Sequence, residues 1–133
     1  MKKITACIIT LTIALCAAAF SAKTISSTNA DFLKSYGWEV SERLIEKANF
    51  TLPEQLDDVY KNYNELQLEA GLDLRPYLGK SGIRYTYRVT NYPTPTEYEV
   101  RANLLIIDGK PVGGDICTVN LRGFMHSLIF PEN

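Results

Sequence analysis

In the second half of the chain, apolar residues recur at every second position, and this period restricts the fold more than any other feature. Tyr85 and Tyr87 alternate with polar residues, as in a strand that is buried on one face only. A second alternating segment, 98–106, leads into Asp108-Gly109, a pair typical of a two-residue type I′ hairpin turn. These patterns predict antiparallel strands joined by tight turns.

Two further strands are predicted after this turn, over 112–119 and 124–130, and a three-residue loop joins them. A regular register would place Asp115 on the apolar face, where an unpaired carboxylate is costly. Either Asp115 has a buried partner, or Gly113-Gly114 carries a β-bulge that shifts the alternation. We favour the bulge, because consecutive glycines in a strand are typical of one.

The first half of the chain predicts two helices. A short helix over 31–36 is capped by Thr28 or Asn29 and ends at Gly37. A strand begins at 38–40, and 44–51 is a weaker candidate for a further strand.

A longer amphipathic helix is expected between Thr51 and Gly71. Thr51 and Glu54 fit a capping box, and Gly71 fits a helix C-terminus. Apolar residues recur at three- and four-residue spacing and predict its buried face, namely Leu56, Val59, Tyr60, Tyr63, Leu66 and Ala70. The opposite face is charged and predicted to be solvated, with Glu54, Asp57, Asp58, Lys61, Glu65 and Glu69.

Together these elements predict a single α+β domain over 31–130. It consists of a short helix, a strand and a long amphipathic helix packed on a four-stranded antiparallel meander, with a fifth strand if 44–51 contributes.

The N-terminus predicts export. Residues 1–22 combine two lysines, an uncharged apolar run and small residues, as in a cleaved signal peptide with cleavage after Ala19 or Ser21. The alternatives are an uncleaved membrane anchor and lipid attachment at Cys16, although Leu15 is larger than the residue usual before a lipidated cysteine. Residues 23–30 are predicted to form a tether. We expect a protein that is either secreted or attached to the outer side of the cytoplasmic membrane. In the second case, only the uncleaved N-terminal segment or the lipid would contact the membrane.

The charge of the chain argues against nucleic acid as a partner. The net charge is −1 for 14 basic and 15 acidic residues, and it becomes −3 when Lys2 and Lys3 are removed. A weakly acidic domain without a basic cluster is a poor match for a phosphate backbone.

Three residues are candidates for catalysis: Asp115, Cys117 and His126. Cys117 is the only cysteine beyond the signal segment, and His126 is the only histidine. The predicted hairpin pairs Thr118 with His126 and therefore places Cys117 and His126 on opposite faces. We predict no cofactor and no metal site, because no second histidine or cysteine cluster completes one.

Tyr85, Tyr87, Tyr92 and Tyr98 are weak candidates for an aromatic binding platform, although core positions explain their spacing equally well.

Several stretches resemble the domain of unknown function 4830 family, namely FLKSYGWEV, VYKNYNELQ, YTYRVTNYP, VRANLLIIDGKPVGGDIC and GFMH, which lie between 31 and 128. The members look like small secreted or membrane-attached proteins of Gram-positive bacteria. The resemblance implies export and a single domain, and it carries over no functional residue.

The function stays unknown from the sequence, and two hypotheses follow. The first is a non-catalytic module of the cell envelope or a secreted one, which binds a protein, peptide or glycan. The alternative is a small hydrolase-like enzyme that uses Cys117 or Asp115, or a secreted inhibitor. The absence of a catalytic motif favours the first.

Overall fold

A computed structural model describes Ile25 and residues 27–132 of the chain. Helix α1 covers 27–35. It is followed by β1 (Val40–Thr51), α2 (Asp58–Glu69), a 3₁₀ turn (Arg75–Tyr77), β2 (Ser81–Val89), β3 (Val100–Ile107), β4 (Lys110–Thr118) and β5 (Met125–His126). The α+β class is confirmed. The predicted signal segment, 1–22, lies outside the described residues.

The strands form one antiparallel sheet of five strands in the order β1-β2-β3-β4-β5. The meander was expected to have four strands with an uncertain fifth. Both extended stretches of the first half belong to the single strand β1, whose pairing with β2 is irregular between Val40 and Glu46.

Helix α2 is shorter than the sequence predicts, and its cap is different. Thr51 pairs with Ser81 at the end of β1, so the capping box that includes Thr51 does not form. Instead, Asp57 caps the helix by accepting a hydrogen bond from the Tyr60 amide at 2.8 Å. Thr51, which the local sequence predicts as the helix cap, is therefore part of the sheet instead.

The buried face of α2 is also rotated from the predicted one. Val59 is 73% exposed, whereas Asn64 and Gln67 are buried. The Gln67 side chain accepts from the Gly114 amide at 2.7 Å and donates to the Tyr63 carbonyl at 3.2 Å. These hydrogen bonds offset the cost of burying an amide. The charged residues of the opposite face are exposed, as expected.

Helix α1 begins upstream of the predicted caps, because 27–30 are helical. Asn29 lies within the helix, where it is buried and donates to the Tyr87 hydroxyl at 3.1 Å. Gly37 follows the helix with a φ of 98°, the left-handed conformation expected there.

The two helices pack on opposite faces of the sheet. Leu33 of α1 joins Tyr87 and Leu104 in the larger core cluster. On the other face, Tyr63 of α2 packs against a smaller cluster that includes Leu105. We call this second surface the α2 face. No helix among the described residues is long and apolar enough to cross a membrane.

The strand β4 contains a β-bulge, which places Asp115 opposite Asn103 and not opposite Ala102. Asp108 and Gly109 have φ values of 50° and 74°, which confirms the predicted tight turn. The register shifts where Leu105 pairs with Gly113 and Ile106 pairs with Pro111. The extra residue is therefore Val112, one position before the glycines predicted to carry the bulge.

The last hairpin has a different register from the expected one. Cys117 pairs with Met125, and Ile116 pairs with His126. The Phe124 amide donates to the Thr118 hydroxyl at 3.1 Å, while the Thr118 amide donates to the Phe124 carbonyl. These hydrogen bonds close a loop longer than the three-residue loop that the sequence predicts.

Candidate functional site

The α2 face carries four polar residues side by side across four strands. Glu46 pairs with Thr86, Thr86 with Asn103, and Asn103 with Asp115. We call these four residues the polar row. Thr86 and Asp115 are buried, each with 3% exposure. A polar row in this position is unusual because apolar residues are the default beneath a packed helix.

A chain of hydrogen bonds orders three residues of the row. The Thr86 hydroxyl donates to Oδ1 of Asn103 at 2.7 Å, and Nδ2 of Asn103 donates to Oδ1 of Asp115 at 3.0 Å. The Tyr63 hydroxyl donates to the other oxygen, Oδ2 of Asp115, at 2.6 Å. Both carboxyl oxygens of Asp115 therefore have a donor from the protein, as buried carboxylates require.

Burial changes the pKa values of Asp115 and of the neighbouring Cys117. It raises the pKa of Asp115, although hydrogen bonds from Tyr63 and Asn103 act in the opposite direction. Burial and the neighbouring Asp115 also raise the pKa of Cys117. A thiol with a raised pKa is less ionised at neutral pH, which opposes its use as a nucleophile.

His126 lies on the opposite face from Cys117, as the hairpin analysis predicted. Its Nδ1 lies 2.7 Å from the Ser127 carbonyl oxygen, and its Nε2 lies 3.0 Å from the Tyr92 hydroxyl. The ring also stacks on Phe124 with 5.4 Å between centroids. The structure therefore brings Asp115 and Cys117 together and keeps His126 apart from both.

A groove of about 640 Å³ opens between α2 and the α2 face. Its walls are mainly apolar, formed by Phe50, Leu52, Val59, Tyr60, Leu66, Leu105 and Met125. Asn62, Arg84, Asn103 and Asp115 provide polar groups, and Tyr63 contributes both its ring and its hydroxyl. A concave apolar site with a few placed polar groups is the usual form of a ligand pocket.

The guanidinium of Arg84, which lines this groove, is only partly paired. Its Nη2 donates to Oε1 of Glu46 at 2.6 Å. Its Nε is shielded from solvent and has no hydrogen-bond partner, a property that only one other side-chain atom of the described residues shares. Buried polar atoms of this kind are rare and call for an explanation.

Sequence reasoning did not identify the groove or the roles of Arg84 and Asn103. Both residues occupy polar positions of alternating strands, and such positions are usually solvated. One signal was present: the run from Leu104 to Ile107 is continuously apolar, as in a strand that is covered on both faces. Helix α2 covers the second face of this strand.

The four candidate tyrosines do not share one surface. Tyr85 and Tyr87 are buried in the core on the α1 side. Tyr92 is half-buried, and the more exposed Tyr98 lies with it in a separate, largely polar cleft that also contains Arg88 and Glu99. Over Ile25 and 27–132, no group of three or more His, Cys, Asp or Glu residues is arranged to hold a metal ion.

Comparison with known proteins places the chain in one family. No curated protein and no solved structure matches it. The family described as Domain of unknown function (DUF4830) matches residues 32–116, more than half of the chain. The matched region includes every residue that lines the groove except Met125. The chain therefore belongs to the family Domain of unknown function (DUF4830).

Proposed function

We propose that this protein is a non-catalytic binding module and that the groove beside α2 is its ligand site. The observation that carries this proposal is the combination of apolar groove walls with an ordered polar row and the charged Arg84 side chain. Hydrophobic walls provide most of the affinity in such sites, while a few polar groups set the orientation of the ligand.

Catalysis by the candidate residues is disfavoured by their surroundings. The Cys117 thiol has a raised pKa, and no histidine lies on its face of the sheet within the described residues. Both oxygens of Asp115 accept hydrogen bonds from neighbouring side chains, which leaves this group poorly placed to activate water.

The setting that we propose is outside the cytoplasmic membrane, with the protein either secreted or attached to that membrane. The support comes from the sequence of residues 1–22, which has the charge and apolar pattern of an export signal. Among the ligands considered for the envelope, the apolar walls favour one with a large apolar part over a glycan.

Binding of Nile red, an uncharged apolar dye, tests the groove. The dye should gain fluorescence with the wild-type protein, and Val59→Arg should abolish most of the gain by placing a charge at the groove wall. Leu68→Arg is the matched control because Leu68 is an exposed apolar residue of the same helix that does not line the groove.

Circular dichroism of both variants separates loss of binding from loss of folding. A dye signal that is equal in the two folded variants would contradict a ligand site at this groove.

A further inference from the structure

We infer that the groove binds an anionic amphiphile, with an apolar chain against its walls and a terminal carboxylate that pairs with the Arg84 guanidinium. This inference rests on the proposed function and specifies the chemistry of the ligand. It follows from the charge and exposure of Arg84, the occupied Asp115 oxygens and the apolar walls of the same groove.

Arg84 is the only cationic side chain among the described residues that line the groove. Its Nη2 donates to Glu46 at 2.6 Å and its Nε is buried, but 40% of the side chain is exposed. A ligand carboxylate can therefore reach part of the guanidinium. A carboxylate oxygen is the strongest common acceptor for a guanidinium N–H.

A cationic head group is disfavoured at Asp115. Oδ1 and Oδ2 of Asp115 already accept from Asn103 and Tyr63, at 3.0 Å and 2.6 Å. A ligand ammonium would have to displace these donors or share their acceptors. Arg84 is therefore the charged residue of the groove that favours a ligand head group of opposite charge.

An amphiphile with one polar end suits this groove better than an extended peptide does. A peptide backbone brings a donor and an acceptor at nearly every residue, and burying them without partners is unfavourable. The strands β2 and β3 are interior strands, so their main-chain groups pair with neighbours on both sides. A hydrocarbon chain needs no such partners.

Three ligands with the same decyl chain test the inference: decanoate, 1-decanol and decyltrimethylammonium, each titrated calorimetrically below its micellar concentration. Decanoate should bind about tenfold or more tightly than decanol, the difference expected for one charge-assisted hydrogen bond. The ammonium compound should bind no more tightly than decanol.

The variants Arg84→Gln and Glu46→Gln complete the test. Arg84→Gln should abolish the preference for decanoate over decanol, and circular dichroism shows whether the variant is folded. Glu46→Gln removes the ion pair but keeps the Arg84 donor, so its preference for decanoate should persist.

The outcomes separate the inference from the proposed function. Equal binding of decanoate and decanol, or a preference that survives Arg84→Gln, would overturn the carboxylate assignment while Nile red binding still supports the groove. Failure of Nile red and of all three decyl ligands to bind would overturn the proposed function, and this inference with it.

Discussion

The Tyr63 hydroxyl lies 2.6 Å from Oδ2 of Asp115 and joins α2 to β4 across a sequence separation of 52 residues. This hydrogen bond is the polar attachment of the helix to the floor of the groove. A second attachment follows one turn later, where Gln67 accepts from the Gly114 amide. The groove therefore has a wall that is held by side-chain hydrogen bonds as well as by apolar packing.

Replacing Tyr63 by Phe should destabilise the protein by about 1–3 kcal/mol, the cost of leaving a buried acceptor without its donor. Urea unfolding at neutral pH measures the change. Tyr98→Phe is the control, because Tyr98 is largely exposed and removal of its hydroxyl should change stability by less than about 0.5 kcal/mol. Equal stability of Tyr63→Phe and wild type would mean that this hydrogen bond contributes nothing.

Replacing Gln67 by Leu should also cost about 1–3 kcal/mol, even though the new side chain is apolar and of similar size. The reason is that the Gly114 amide loses its acceptor in a buried position. Gln55→Leu provides the same chemical change at an exposed residue. A Gln67→Leu variant as stable as Gln55→Leu would show that the amide finds another partner.

The stability of the protein should decrease with rising pH through the titration of Asp115. Burial raises the pKa of this carboxyl above its ordinary value of 3.8, so the folded state holds the proton more tightly than the unfolded chain. The resulting stabilisation is complete below the unfolded-state pKa and is lost as the pH rises through the folded-state pKa.

Asp115→Asn removes this contribution. The free energy of unfolding of wild type should therefore decline relative to the variant as the pH rises above about 4, the ordinary range of a carboxyl pKa. Urea unfolding of both proteins across this range makes the comparison, and parallel curves would contradict the raised pKa.

Cys117 should react slowly with iodoacetamide at neutral pH in the folded protein. Burial and Asp115 raise the pKa of its thiol above the ordinary value of 9.0, which lowers the thiolate fraction. The rate should increase with alkaline pH and on unfolding in urea. Mass spectrometry of the peptide that contains Cys117 follows this site separately from Cys7 and Cys16. Rapid alkylation at neutral pH would instead support the enzyme hypothesis.

Export predicts that the protein isolated from its natural host begins near Phe20 or Ala22, because cleavage is expected after Ala19 or Ser21. Intact mass spectrometry measures this directly. A mass that includes 1–19 would contradict cleavage and favour an anchor, whereas an added lipid on Cys16 would indicate a lipoprotein.

Several features of this fold were determined by the sequence alone because they depend on residues that are adjacent in the chain. Asp108-Gly109 forms the expected tight turn since both residues tolerate positive φ. Gly37 ends α1 for the same reason. The strand period and the glycines of β4 predicted a shift of register in this strand, although the extra residue is Val112 and Asp115 is buried on the face to which it moves.

The tertiary structure alone decided the rotation of α2 and the groove beside it. Thr51 has a good local role as a helix cap, but its pairing with Ser81 extends β1 instead. From the sequence, Asn64 and Gln67 look like surface residues. In the structure both are buried and accept hydrogen bonds from backbone amides, Gln67 from that of Gly114. Likewise, a charged Arg84 on an alternating strand predicts a solvated face. Its Nε is nevertheless buried, and periodicity within one strand carries no information about contacts with distant parts of the chain.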